Sequence, residues 1–318
     1  MLRYRLIFGT LMIAAAVGLF WLDDRLDDVR LEGWASDLML GRDYPPSGLI
    51  LLLVVLGVIV LAGRELAQLF QSKGVRVGGR LLGLAGWVGI LAVYAIPFRL
   101  DSQATLALYT TCLVGVFVLA LLVYARRHET QGALTAASAA LLALIYLGTL
   151  PGFLLAIRRW HSAWVVVGII LVIKASDIGA YFTGRAIGRH KLIPWLSPGK
   201  TWEGLAGGVA ASALVAIGLV ELSNELGLSG RYVYGEDLTT RRFAASDYPL
   251  WLAAIGGGLL ALAGVLGDLT ASLFKRDAGI KDSGKSIPGF GGVLDVIDSL
   301  VIAAPVAYWL VRMMHAVG

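Results

Sequence analysis

Residues 48–63 read GLILLLVVLGVIVLAG, sixteen positions without one charged side chain. Apolar and polar residues do not alternate along this stretch, so it is not the half-exposed strand of a membrane barrel. A run this apolar fits a helix in apolar surroundings, where each backbone N–H and C=O is satisfied within the segment. Working outward, eight further runs approach the roughly 20 residues needed to cross about 30 Å of hydrocarbon. They are 6–22, 81–97, 104–124, 133–157, 163–183, 204–222, 250–270 and 292–312. The run 81–97 is short, and 163–183, 250–270 and 292–312 carry charges. The fold class predicted is all-α: a polytopic integral membrane protein of about nine transmembrane helices.

Composition agrees. Of 318 residues, 58% are hydrophobic and 15% charged, and mean hydropathy is +0.77, whereas soluble domains run near a quarter charged. Disorder, collagen and a disulfide scaffold are excluded by the same figures. The one cysteine, Cys112, lies in an apolar run, can form no bridge within the chain and is expected to pack between helices. The net charge of +5 is better explained by basic loops facing an anionic membrane surface than by a nucleic-acid partner.

With the N-terminus placed in the cytoplasm, 16 of the 27 Lys and Arg residues fall in inside segments and 10 outside, with Lys174 in a span. The positive-inside rule then predicts a cytoplasmic N-terminus and an outer C-terminus. Arg158 and Arg159 dissent, because they fall in an outer loop. The first run, preceded by Arg3 and Arg5, reads as a retained anchor rather than a secretory signal. Asp23, Asp24, Asp27 and Asp28 look like an aspartate motif for prenyl diphosphates, but are expected to be a solvated charge run on the outer side.

Composition shifts near residue 163. Before it, ionisable residues keep to loops and span ends; after it, they enter the spans. The chain therefore divides into N-terminal transmembrane helices, 1–162, and a C-terminal catalytic region, 163–318, with cytoplasmic basic loops at 184–204 and 271–292. An ionisable side chain in mid-bilayer costs about 2.5–3.5 kcal/mol on insertion scales, so each marks a candidate site. Asp177, Asp268, Asp295 and Asp298 qualify. Lys174 lies three positions before Asp177 on the same helix face and can neutralise it. Asp295 and Asp298 also share a face, with only Val296 and Ile297 between them. Two neighbouring anions repel unless something positive sits between them. A divalent metal answers this most simply. Oxygen donors without a His/Cys cluster point to Mg²⁺ rather than zinc. A proton relay or a packing role for the pair is the alternative.

The two loops read GRAIGRHKLIPWLSPGKTWEG (184–204) and ASLFKRDAGIKDSGKSIPGFGG (271–292). Both combine cations, hydroxyls and glycines that let backbone N–H groups approach an anion closely. Beside oxygen-ligand metal sites, this pattern suits a nucleotide polyphosphate. Residues 279–286 fit the G-x-x-x-x-G-K-S pattern letter for letter. A P-loop, however, needs a strand leading in and a helix leading out of a sheet, and transmembrane runs lie on both sides here. Lys285 can still touch a phosphate for local reasons. Of His128, His161, His190 and His315, only His190 lies in a basic loop. The glycine-rich patches 204–208 and 255–258 are expected to allow close helix packing.

Residues 268–299, DLTASLFKRDAGIKDSGKSIPGFGGVLDVIDS, closely resemble the signature of the phosphatidate cytidylyltransferases (CDP-diacylglycerol synthases), S-x-x-K-R…K-D-x-G…P-G-H-G-G-x-x-D-R-x-D. The stretch SDIGAYFTGRAIGRHKLIPWLSPGKTWEG, 176–204, resembles a second conserved region of that family. The match covers about 140 residues of the C-terminal half; the first five spans fit only in number and hydropathy. Phe290 stands where the family usually has His, and Val296 where it usually has Arg. The first argues against an essential acid–base role at that position. The second removes a positive charge from between Asp295 and Asp298.

The resemblance implies a multi-pass enzyme of the inner membrane that converts CTP and phosphatidate into CDP-diacylglycerol and pyrophosphate. It implies Mg²⁺ with a monovalent cation such as K⁺ nearby, and family members can form homodimers. Asp268 and Asp295 would be the metal-binding carboxylates, and Lys275, Arg276, Asp282 and Asp298 the catalytic residues. Ser272, Lys281, Lys200 and Thr201 would bind substrate phosphates, with Arg185 and Lys285 of the basic loops. Asp177 and Glu203 match further family positions. Other readings are a CTP-dependent enzyme acting on another lipid phosphate or a polyprenol, an inactive homologue, and a cation-coupled secondary transporter. The last predicts inverted repeats and broken helices, which the sequence does not show.

Overall fold

A computed structural model describes residues 2–38, 43–94, 102–128, 130–225, 230–234, 239–243, 249–280, 283–284, 286–287 and 291–317. Its helices are α1 (Leu2–Leu26), α2 (Trp34–Leu38), α3 (Leu49–Ser72), α4 (Gly79–Tyr94), α5 (Ser102–His128), α6 (Ala133–Ala143), α7 (Leu150–Trp160), α8 (Ala163–Ile187), α9 (Trp202–Glu225), α10 (Leu250–Asp277) and α11 (Val293–Val317). A π-helical turn, Leu144–Thr149, joins α6 to α7 without a break. Every predicted run falls on a helix, apart from residues 95–97, which lie outside the described residues. Among the described residues, seven helices are long and apolar enough to cross a membrane, and α4 is a shorter apolar helix. The protein is thus an all-α multi-pass membrane protein, with two small antiparallel hairpins added. These are β1 (Lys191–Ile193) with β2 (Ser197–Thr201), and β3 (Gly230–Tyr234) with β4 (Thr239–Phe243).

Helix ends run further than the apolar runs suggest. The helix α8 continues to Ile187 and α10 to Asp277. Arg185, Ser272, Lys275 and Arg276 therefore sit on helices, not in the basic loops assigned to them. The hydrogen-bonded backbone continues past the apolar segment because nothing in the sequence stops it there: Gly188 closes α8, and Gly279, at φ +71°, follows α10.

The glycine patches pack as expected. On α9, a Cβ at Gly204 would come within 3.0 Å of the Ala180 carbonyl oxygen, and one at Gly208 within 2.9 Å of that of Ser176, both on α8. On α10, a Cβ at Gly257 would lie 2.6 Å from the Ser212 carbonyl oxygen of α9. The Ser212 hydroxyl in turn donates to the Val172 carbonyl at 2.7 Å. Helices α8, α9 and α10 approach backbone to backbone, and this brings polar groups on different helices within reach of one another. Because Gly257 faces backbone rather than a movable side chain, Gly257→Ala is expected to destabilise the protein by about 1–3 kcal/mol, the range for overpacking. A lowered thermal midpoint in detergent would register it.

The acidic stretch at the end of α1 overturns the expectation of a solvated charge run. Asp23 is 1% exposed. Its Oδ1 accepts the amides of Ile50 at 2.9 Å and Leu51 at 3.2 Å, capping α3 where Gly48 has no side chain to do so. Its Oδ2 accepts Arg158 Nε at 2.6 Å, and Arg158 Nη2 reaches Asp27 at 2.8 Å. Asp24 Oδ1 accepts the Ser162 hydroxyl at 2.8 Å and the Ala163 amide at 2.9 Å, at the start of α8. Arg159 donates to the Tyr94 carbonyl and lies over the Tyr94 ring, 5.1 Å from its centroid. The arginines that dissented from the charge count are therefore buried at the end of α7, not loop cations. Burying them is tolerable because carboxylates and carbonyls are already there to receive them.

Candidate active site

One face of α8 repeats at helical spacing: Lys174, Asp177, Tyr181 and Arg185 are three or four residues apart and line one cavity. Asp268 of α10, Asp295 and Asp298 of α11, and Gly199, Lys200 and Thr201 of β2 line it as well. Its volume is about 630 Å³. All four in-membrane carboxylates singled out in the sequence thus meet at one chamber, together with Arg185, Lys200 and Thr201.

The charges are compensated in pairs across elements. Lys200 Nζ lies 2.7 Å from Asp268 Oδ2, joining the hairpin to α10. Lys275 Nζ lies 2.7 Å from Asp295 Oδ1, joining α10 to α11. Lys174 Nζ bonds Asp177 Oδ2 at 3.0 Å, as the three-residue spacing predicted, and donates to the Ser299 hydroxyl at 2.8 Å. The expectation that Asp295 and Asp298 lack a neighbouring cation is corrected: Lys275 supplies the positive charge that Val296 does not. It comes from another helix, so no local reading of the α11 sequence could find it.

Asp295 is fixed from every side. Its Oδ2 accepts the Gly292 amide at 3.0 Å, the Ser283 amide at 3.1 Å and the Ser283 hydroxyl at 3.0 Å. As the third residue of α11, it reaches back to the amide just before the helix, as the acidic partner of a capping box does. Asp298, one turn on, is 7% exposed and accepts the Ser299 amide at 2.6 Å. Thr201 caps α9 by accepting the Gly204 amide at 3.1 Å.

Other predicted residues stand elsewhere. Glu203 does not line the cavity; it accepts the amides of Arg189 at 3.1 Å and His190 at 3.2 Å, and His190 Nδ1 lies 2.6 Å from its Oε1. That clamps the start of the hairpin and engages the one histidine considered for phosphate. Ser272, half-buried, and Arg276, exposed, are on α10 but outside the cavity lining. Lys281, Asp282, Lys285 and Phe290 lie outside the described residues. Residues 279–286 run between α10 and α11 rather than between a strand and a helix. Reasoning from sequence missed Tyr181, Ser283 and Glu65 of α3. The last carried a legible signal, a lone acid within the apolar stretch LAGRELAQLF.

The donor set fits magnesium. The wall offers carboxylate oxygens, and Mg²⁺ takes one or two carboxylates, completing its shell with water and substrate phosphate. Among the described residues, no three acidic, histidine or cysteine side chains are grouped as a metal cage. An ion shared between protein and substrate needs none.

The fold and chamber define a multi-pass membrane protein with a charged cavity. The sequence matches the cytidylyltransferase family over residues 42–314, and the chain belongs to that family. It is 29% identical over 309 residues to the phosphatidate cytidylyltransferase of Synechocystis sp., covering 88% of this chain and 92% of the relative. It is 31% identical over 260 residues to that of Staphylococcus saprophyticus, covering 81% and 88%. To that of Haemophilus influenzae it is 39% identical over 146 residues, 46% of this chain. In the Haemophilus influenzae and Pseudomonas aeruginosa relatives, the match spans about half of the relative's length, 45% and 53%.

Proposed function

We propose that this chain transfers CMP from CTP to phosphatidate, giving CDP-diacylglycerol and pyrophosphate. The observation that carries this reading is the convergence of Asp177, Asp268, Asp295 and Asp298 with Lys174, Arg185 and Lys200 on one chamber of about 630 Å³. A phosphatidate oxygen attacks the α-phosphorus of CTP in line; the new P–O bond forms as the bond to the β-phosphate oxygen breaks. The nucleophile is already anionic, so no strong general base is required. The barrier is the approach of two polyanions. Lys174, Arg185 and Lys200 offer cationic heads to the phosphates, and Gly199 of β2, beside Thr201, allows close backbone approach. Lys275 and Ser283 hold the Asp295 carboxylate in one orientation. Asp268 and Asp295 would hold Mg²⁺, which supplies charge neutralisation of the phosphates, and the same oxygen-rich wall suits a monovalent cation.

The orientation that goes with this reading is nine crossings of the inner membrane, with the N-terminus cytoplasmic and the chamber facing the cytosol, where CTP is. The burial of Arg158 and Arg159 supports it, because it removes the two cations that counted against the positive-inside rule. The test is pyrophosphate release by the purified protein in detergent with CTP, phosphatidate and Mg²⁺, each omitted in turn. Release is expected only when all three are present; turnover without phosphatidate, or none with the full mixture, would refute the reading.

A further inference from the structure

Glu65 lies on α3, outside the two signature stretches 176–204 and 268–299, and is 2% exposed. A carboxylate buried this deeply in an apolar helix is unfavourable unless donors surround it. Four described groups do, all from the segment between α10 and α11 or the first turn of α11. Oε1 accepts the Ser286 hydroxyl at 2.5 Å and the Val293 amide at 2.9 Å. Oε2 accepts the Leu294 amide at 2.9 Å and the Ser283 hydroxyl at 3.2 Å.

The backbone is shaped around this side chain. A Cβ at Gly284 would lie 2.8 Å from Glu65 Oε1, and one at Gly292 would lie 2.5 Å from Oε2. Both positions need glycine because the carboxylate occupies the space. Val293 and Leu294 are the first two residues of α11, so Glu65 takes up amides that have no partner within the helix and meets its positive end. The next residue is Asp295. Ser283 lies between the two acids, its single hydroxyl proton shared between Glu65 Oε2 and Asp295 Oδ2, the latter 3.0 Å away.

We infer that Glu65 is a positioning residue for the chamber: it fastens the loop and the first turn of α11 to α3, and thereby fixes where the Asp295 carboxylate points. Among the described residues, the hydrogen bonds of its carboxylate all run to that segment. The inference rests on the proposed transferase reading, which supplies its activity readout. A small displacement of a reacting group can slow turnover by about 100-fold.

Glu65→Ala, which leaves the Val293 and Leu294 amides unanswered, is expected to lower kcat by about 100-fold. Glu65→Gln keeps the volume and one acceptor oxygen, so a loss of roughly 10-fold is expected, a partial rescue. In both, KM for phosphatidate is expected to stay within about threefold of wild type, because the α8 face is untouched; a purely structural role would instead reduce the amount of folded protein and leave kcat per folded molecule unchanged. That outcome, or a kcat within twofold of wild type in folded Glu65→Ala, overturns the inference. Should Glu65→Ala fail to fold, Glu65→Gln and Ser286→Ala decide by the same criterion. Absence of pyrophosphate release by the wild-type protein would instead refute the transferase reading.

Discussion

Asp295→Asn is expected to reduce CTP-dependent pyrophosphate release by at least about 10³-fold while the protein still inserts and folds, the upper end of what one electrostatic group contributes to a transition state. The expectation follows from the different tasks of its two oxygens. Oδ2 holds the Ser283 and Gly292 donors, which the carbonyl of asparagine can accept equally well. Oδ1 faces Lys275 Nζ at 2.7 Å, and there asparagine would present an NH₂ group to an ammonium. The cap of α11 survives, while the charge that compensates Lys275 and would hold magnesium is lost. The thermal midpoint in detergent should fall, because Lys275 loses its partner at a site only 15% exposed, but less than on loss of Arg158, and near-normal turnover in the folded variant would rule out the role assigned to Asp295.

Arg158→Met is expected to have the largest effect on stability, about 3–5 kcal/mol, the loss typical when one partner of a buried ion pair is removed. The side chains of Arg158 and Asp23 are 1% and 0% exposed, so the orphaned Asp23 carboxylate can neither reach water nor be screened by salt. Asp23 also caps α3, so any displacement of its carboxylate weakens that cap as well. Adding Asp23→Asn to Arg158→Met should recover part of the loss, because the fully buried charge is then gone and only Asp27, 28% exposed, is left without the arginine. The Asp23 cap and Glu65 are separated by 15 residues of α3 (Ile50 to Glu65), about 22 Å at 1.5 Å per residue. Activity per folded molecule should therefore be preserved. Thermal unfolding of the single and double variants, with pyrophosphate release normalised to folded protein, decides it. A midpoint unchanged by Arg158→Met would show that the ion pair contributes nothing.

The two residues that matter most to these expectations were legible to different degrees. Asp295 stood out because an aspartate in an apolar run is costly, and its spacing to Asp298 and its place in the family signature singled it out further. Arg158 was misread as a loop cation. Its partners are Asp23 and Asp27, 135 and 131 residues away, and nothing in either stretch announces the other. Lys275 and Asp295, 20 residues apart, and Lys200 and Asp268 likewise pair across different elements, which neither local stretch announces. Glu65 was visible as a lone acid among apolar residues, but its task was not, because its donors lie 218 to 229 residues on.

By itself, the sequence determined what depends on local composition and spacing: apolar runs that must be helices in a membrane, glycine patches where helices meet, and four aspartates whose burial demands a use. Charge pairing was decided only in the tertiary structure. An ion pair forms between whichever groups the helix packing brings within a few ångströms, and that packing sums many weak contacts with no signature at either residue. So it was the fold that turned the acidic run at the end of α1 into an internal clamp and joined α3 of the first half to the segment that carries Asp295.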